Sequence, residues 1–181
     1  ALLINGYKER LIKQQLDTFI KQQEIIDYYQ QNSKNFRLNE ELIKARYLHF
    51  SSDLLDKKEV ISFFKKGSIR DIEKLEIRQL TFKSMMLNDS VWTPLENVLL
   101  KMPFSRGNLL KNSNFFQKED SLGLYLVTIK DVLVRNETAP LSYIKPTIKQ
   151  MILHRRKIEL IRDIEKILVK DATKNNNFKV Y

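Results

Sequence analysis

The chain is predicted to be α+β and helix-rich: a small mixed sheet carrying helices, clasped by long N- and C-terminal helices. Three observations predict this. Glycine and proline number only four each in 181 residues, so there is little to interrupt long elements. Apolar residues recur at three- and four-residue steps over residues 2 to 31, and again from about 141 to 171. Between these two stretches lie segments rich in β-branched and aromatic residues, around 42–50 and 124–134.

Residues 2 to 31 predict one amphipathic helix. Leu2, Leu3, Tyr7, Leu11, Ile12, Leu16, Phe19, Ile20, Ile25, Ile26 and Tyr29 form its apolar stripe, with Lys, Gln, Glu and Asp between them. So broad a stripe requires a partner helix of similar length. Polar turn formers at Gln30-Gln31-Asn32-Ser33 end it. Leu42 to Phe50 then predicts a strand with Ile43, Ala45, Tyr47 and His49 on one face. Leu42, Lys44, Arg46, Leu48 and Phe50 occupy the other, so the strand is expected to be covered at least in part on both sides. Two helices follow. The first ends at Gly67; the second starts from Ser68 and extends through Leu80 and Phe82. Residues 94 to 101 predict a short helix with Thr93 as N-cap and Pro94 in its first turn. Residues 105 to 121 read as a loop with one short strand or turn. The β-rich stretch from Leu124 to Val134 follows, and then the last long helix from about Leu141 to Asp171, with Pro146 near its start. Asn175-Asn176-Asn177 is expected to break that helix, leaving Phe178 to Tyr181 as a short terminal strand.

Composition excludes several chemistries. There is no cysteine, hence no disulfide, thiolate catalysis or cysteine-based zinc site. The two histidines, His49 and His154, are too far apart to suggest a metal centre, and no cofactor is expected. There is no phosphate-cradling glycine-rich loop and no nucleophile elbow. No stretch approaches the roughly 20 apolar residues of a membrane span. The formal net charge of +10 favours acidic partners: acidic polypeptide, an anionic membrane surface or nucleic acid. Nucleic acid is the least favoured of these, because the cations are dispersed and no aromatic-rich basic loop is present. The chain opens at Ala1 without Met, so a processed or truncated protein is expected, with any signal or lipid-anchor segment lying upstream.

Several local patterns, taken in order, resemble the parvulin-containing chaperones of the SurA and PrsA type. Tyr28-Tyr29 followed by Asn32, Asn35 and Phe36 resembles the helix end and linker leading into the parvulin domain. Lys44-Ala45-Arg46-Tyr47-Leu48 resembles its first strand, usually Arg-Ala-x-His-Ile-Leu. Trp92, the following helix and Met102-Pro103-Phe104 resemble the Gly-Trp and helix of the domain. Gly123-Leu124-Tyr125-Leu126-Val127-Thr128-Ile129 resembles its last strand, usually Gly-Tyr-His-Ile-Ile-Lys-Val. The likeness divides the chain into an N-terminal helix of a chaperone module (1–32), a parvulin-like domain (33–138) and a C-terminal helix and tail packing back on the first helix (139–181).

The departures bear on activity. The two core histidines of an active parvulin fall on Tyr47 and Tyr125, with His49 two residues along as a displaced substitute. These three are the relic-site candidates. The resemblance places peptide-binding residues at Trp92, Leu95, Val98, Met102 and Phe104. Tyrosines preserve bulk and hydrogen bonding but do not titrate near neutral pH. An ordinary cross-strand aromatic contact accounts equally well for Tyr47 and Tyr125, and a core position for Trp92. In the pairs Phe63-Phe64 and Phe115-Phe116, one ring is expected in the core and the other free for capture; Met85-Met86 is an adaptable surface or a loop anchor. The resemblance implies a cell-envelope or periplasmic chaperone that binds non-native polypeptide with weak or absent prolyl isomerase activity. An active isomerase with atypical site residues and a basic helical scaffold or nucleic-acid binder are the alternatives.

Overall fold

The computed structural model describes residues 2–111 and 115–179. In chain order its elements are α1 (Leu2–Gln15), α2 (Gln22–Asn32), β1 (Leu42–Phe50), α3 (Lys57–Lys66), α4 (Ile69–Ile77), β2 (Phe82–Met86), β3 (Thr93–Pro94), α5 (Leu95–Leu99), α6 (Arg106–Leu109), β4 (Phe115–Asp120), β5 (Gly123–Leu133) and α7 (Leu141–Lys179). The fold is α+β and rich in helix. The chain divides into two compact units. One is residues 34–143; the other joins both ends, up to Ser33 and from Ile144 onward.

The unit built from the two ends contains α1, α2 and most of α7. The single helix expected over 2–31 is broken at residues 16–21. No proline or glycine lies in the break. The Asp17 carboxylate accepts the Phe19 N–H at 3.0 Å, an Asx-type turn that competes with helix. Arg156 of α7 then donates to the Asp17 and Phe19 carbonyls, both at 2.8 Å, and forks onto the Glu24 carboxylate at 2.7 and 2.8 Å. The freed backbone acceptors are thus met by a bidentate guanidinium, which also fixes the start of α2. Ile25, Ile148, Ile152 and Ile164 are buried. The asparagine run does not end α7, which continues to Lys179. The expected terminal strand is therefore not formed over 178–179, and Val180 and Tyr181 lie outside the described residues.

The second unit holds a sheet in the order β2-β1-β5-β4, with β3 beside β1. Every pairing is antiparallel, so the sheet is not mixed. β1 is central and its alternating side chains feed two cores. Ile43, Ala45 and Tyr47 join Tyr125, Val127 and Ile129 under α5 and α6. Leu48 and Phe50 join Leu124 and Leu126 under α3 and α4. Phe63 and Phe64 both enter this second core, so neither ring of that pair is free for capture. Phe115 and Phe116 are each half-buried, on opposite faces of the sheet, as are Met85 and Met86.

Local chemistry explains the boundaries. Gly67 ends α3 at φ +61°, its N–H bonded to the Phe63 carbonyl at 2.9 Å. Ser68 caps α4 by accepting the Asp71 N–H at 3.2 Å. The helix expected to reach Phe82 stops at Ile77, and a 3-10 turn over Gln79–Thr81 leads into β2. Pairing to β1 overrides the helical spacing there. Pro94, rather than Thr93, is the N-cap of α5. The two connections of this unit meet: Leu38 N–H bonds the Glu137 carbonyl, Asn136 N–H the Leu38 carbonyl and Ala139 N–H the Phe36 carbonyl, at 2.8–2.9 Å.

Candidate functional site

The candidate site lies on the face of the sheet covered by α5 and α6. β1 and β5 run side by side with Leu48 opposite Leu126, Tyr47 opposite Val127 and His49 opposite Tyr125. The register is regular from Ala45 to Phe50 and shifts by a bulge between Lys44 and Ala45. Tyr47, His49 and Tyr125 therefore share a face, but the direct partner of Tyr125 is His49, and Tyr47 lies one pleat away. The His49 and Tyr125 rings stack with centroids 4.0 Å apart and planes 15° apart.

Tyr125 is almost fully buried. Burial pushes its hydroxyl pKa up, and the charge of Asp120 and a hydrogen bond to that carboxylate push the same way. The phenol is held neutral as a donor. His49 Nε2 lies 3.1 Å from the Leu122 carbonyl, which fits the tautomer that donates from Nε2. Lys83 also donates to the Leu122 carbonyl. Asp120 accepts the Leu122 N–H at 2.8 Å, so the β4–β5 turn is tied to both aromatic partners. Gly123 closes the turn at φ +133°, and a Cβ there would run into the Phe50 carbonyl oxygen.

The five residues expected to contact peptide separate into two groups. Leu95, Val98 and Met102 are closed into the core with Tyr47 and Tyr125 and present no surface to a peptide. Their helical spacing, read as a groove lining, is that of a core-facing helix. Trp92 and Phe104 are half-buried. Trp92 lies beneath the Lys44 ammonium, 4.8 Å from the ring centroid, on the face of the sheet opposite Tyr47, so it does not join Phe104. Phe104 packs against Phe116 at 6.0 Å between centroids. Met86, Phe104 and Phe116 form a partly exposed apolar rim on the Tyr47 face. The sequence names Met86 and Phe116 only as members of pairs, because which residue of each pair joins this face depends on the pairing of β2 and β4.

Two charge networks position the loops around the site. Glu41 accepts from Arg106 at 2.6 Å, with Arg135 at 3.6 Å, and Arg106 also pairs with Glu96. Burial raises the Glu41 pKa, but its backbone hydrogen bond and the two arginines outweigh this, and it lies below the ordinary value. Behind the sheet, Arg46 is 9% exposed. It donates from Nε and Nη2 to the Phe64 carbonyl at 3.2 and 3.0 Å, and from Nη1 to Asp89 at 2.5 Å. A charge inside an apolar strand was the sequence signal for this pairing. His154 is exposed on α7. Among the described residues, no His, Cys, Asp and Glu side chains gather in threes as metal ligands, and no helix is long and apolar enough to cross a membrane.

No family model matches the chain, and no curated protein matches it. Among solved structures, the chain is similar to one from work on the virulence factor PEB4 and the periplasmic protein Cj1289 of Campylobacter jejuni, two structurally related SurA-like chaperones. The alignment covers 94% of this chain and 68% of that one, at 13% identity and a TM-score of 0.34. This is a distant likeness, and no argument about function rests on it.

Proposed function

We propose that residues 34–143 are a degenerate parvulin-like domain that binds extended, non-native polypeptide in the cell envelope with little or no prolyl isomerase activity. The observation that carries this reading is the pairing of β1 with β5. The two segments that resemble the first and last parvulin strands are neighbours, with Tyr47 and Tyr125 on one face.

Chemistry argues for binding over catalysis. Prolyl isomerisation must lower a barrier of about 18–20 kcal/mol, which calls for an open, desolvated pocket fitted to the twisted amide. Here Tyr47, Tyr125, Leu95, Val98 and Met102 pack against one another as core. What remains accessible on this face is a rim of Met86, Phe104 and Phe116, beside β2 and β4 at the two edges of the sheet. β4 carries Lys118, Glu119 and Asp120, charges that discourage strand addition. β2, with Ser84, Met85 and Met86, is the better edge for backbone pairing.

The test is binding of a fluorescent, reduced and unfolded polypeptide to the full chain. Phe104→Ala and Phe116→Ala are each expected to weaken binding by about tenfold, the effect of truncating one aromatic anchor. Leu122→Ala, at the exposed tip of the β4–β5 turn, is expected to leave it unchanged. Equal affinity for all four proteins would remove the rim from the account.

A further inference from the structure

We propose that the unit formed by the chain ends carries a second docking site, a groove between α1 and α7 that takes an acidic amphipathic helix. The parvulin-like reading of residues 34–143 is not used in this argument, so the two stand or fall separately.

The groove has a volume of about 660 Å³. Leu3, Ile4 and Tyr7 form one wall, and Leu168, Val169 and Ala172 the other. These residues stand at the helical spacings that build a packing face. They are nevertheless unfilled: Leu3 is 90% exposed and Val169 65% exposed. Two adjacent helices with an open apolar furrow between them offer the seat of a third helix.

Charge selects the occupant. Arg162, Lys166 and Lys170 recur at four-residue steps along α7 and line an adjoining hollow with Val169. Lys8 stands on the α1 side. The one acidic residue lining the groove, Glu165, is paired with Lys8 at 3.2 Å. From Ile144 onward the chain holds ten Lys and Arg against four Asp and Glu, whereas the segment through Ser33 holds four of each. The rim is thus cationic, and complements a helix whose apolar stripe is flanked by Asp or Glu. A second copy of this chain would bring like charge to the same rim. A flat bilayer surface does not follow a furrow whose apolar side chains line its walls.

The experiment uses the full chain and two labelled synthetic peptides of roughly 18 residues, about five helical turns. Both carry the same leucine stripe; one is flanked by glutamates, the other by lysines. Fluorescence anisotropy is expected to show binding of the acidic peptide only, with affinity falling as salt is raised. Val169→Glu and Ile4→Glu, both at exposed positions, are each expected to weaken binding by about tenfold or more by placing like charge in the furrow. Lys166→Glu with Lys170→Glu is expected to weaken it without touching the apolar walls. Ile77→Glu, an exposed site on α4, serves as the unchanged control. Circular dichroism of each variant verifies the fold. Equal binding of both peptides, or affinity indifferent to both Val169→Glu and Ile4→Glu, overturns the proposal. Capture by phosphatidylglycerol vesicles but not by the acidic peptide overturns it in favour of a membrane surface.

Discussion

Replacing Arg46 by methionine tests whether one guanidinium ties β1 to both α3 and the loop after β2. The methionine retains the apolar stem, so packing is largely conserved and the charged head is what is lost. Two bonds to the Phe64 carbonyl disappear, leaving one of the last carbonyls of α3 without its donor. Asp89 keeps only Lys130, at 3.4 Å. The side chains of Arg46 and Asp89 are 11% and 21% exposed, so solvent screens the pair only in part. Breaking a buried pair from one side costs about 3–5 kcal/mol, and residual exposure places this case near the lower end, at about 3 kcal/mol. Asp89→Asn, which leaves Arg46 bonded to Phe64, is expected to cost about 1 kcal/mol. The double variant is expected to cost less than the sum, with about 1–2 kcal/mol of coupling. Urea unfolding followed by Trp92, the only tryptophan, reports on this unit from three residues beyond Asp89. If Arg46→Met stays within about 0.5 kcal/mol of wild type, or if the two changes simply add, the reasoning about this contact is wrong.

Further outcomes follow from single contacts. Gly123→Ala sets a Cβ against the Phe50 carbonyl at φ +133° and is expected to destabilise the unit by about 2 kcal/mol or more in urea unfolding; a neutral effect would contradict the turn geometry. Tyr143 donates to Glu40 at 2.6 Å, and its pKa is pushed up to about 12 by burial first and then by Glu40. The folded value lies above the ordinary 10.0, so this contribution to stability is fully present below pH 10 and is lost as pH rises through about 12. Ultraviolet titration of tyrosinate should show one late-ionising phenol fewer in Tyr143→Phe, with Tyr125 still late; an unchanged number would assign the shift to another residue. Arg156→Met removes the guanidinium that holds residues 17–24 and is expected to cost about 2–3 kcal/mol and to open the α1–α2 link to limited proteolysis. Cleavage at the wild-type rate would show that the link is held by other means.

What the sequence made legible is what local chemistry decides. β1 was readable because apolar and aromatic residues occupy both of its faces over nine residues, with the largely buried Arg46 among them. The Gly67-Ser68 junction was readable because a left-handed C-cap and a serine N-cap act within a few residues. The break at 16–21 was not, because its main anchor, Arg156, lies far along the chain. β2 was read as helix end, since Leu80 and Phe82 keep helical spacing and only pairing with β1 makes the segment extended. The same limit applies to the site. Alternation gave the shared face of Tyr47 and His49, and the resemblance added Tyr125, whereas the register of β1 on β5 makes His49, not Tyr47, the partner of Tyr125. The spacing of Leu95, Val98 and Met102 could not tell a groove lining from a core face, because both require the same apolar residues.

The most direct measurement places the full chain with a proline-containing peptide in NMR exchange spectroscopy, while a parallel sample follows aggregation of an unfolded client. Aggregation is expected to slow in proportion to added protein while cis–trans exchange stays at its uncatalysed rate. Exchange that is accelerated, and that returns to background on Tyr47→Phe or Tyr125→Phe, would make the enclosed tyrosines a working catalytic centre and contradict the account.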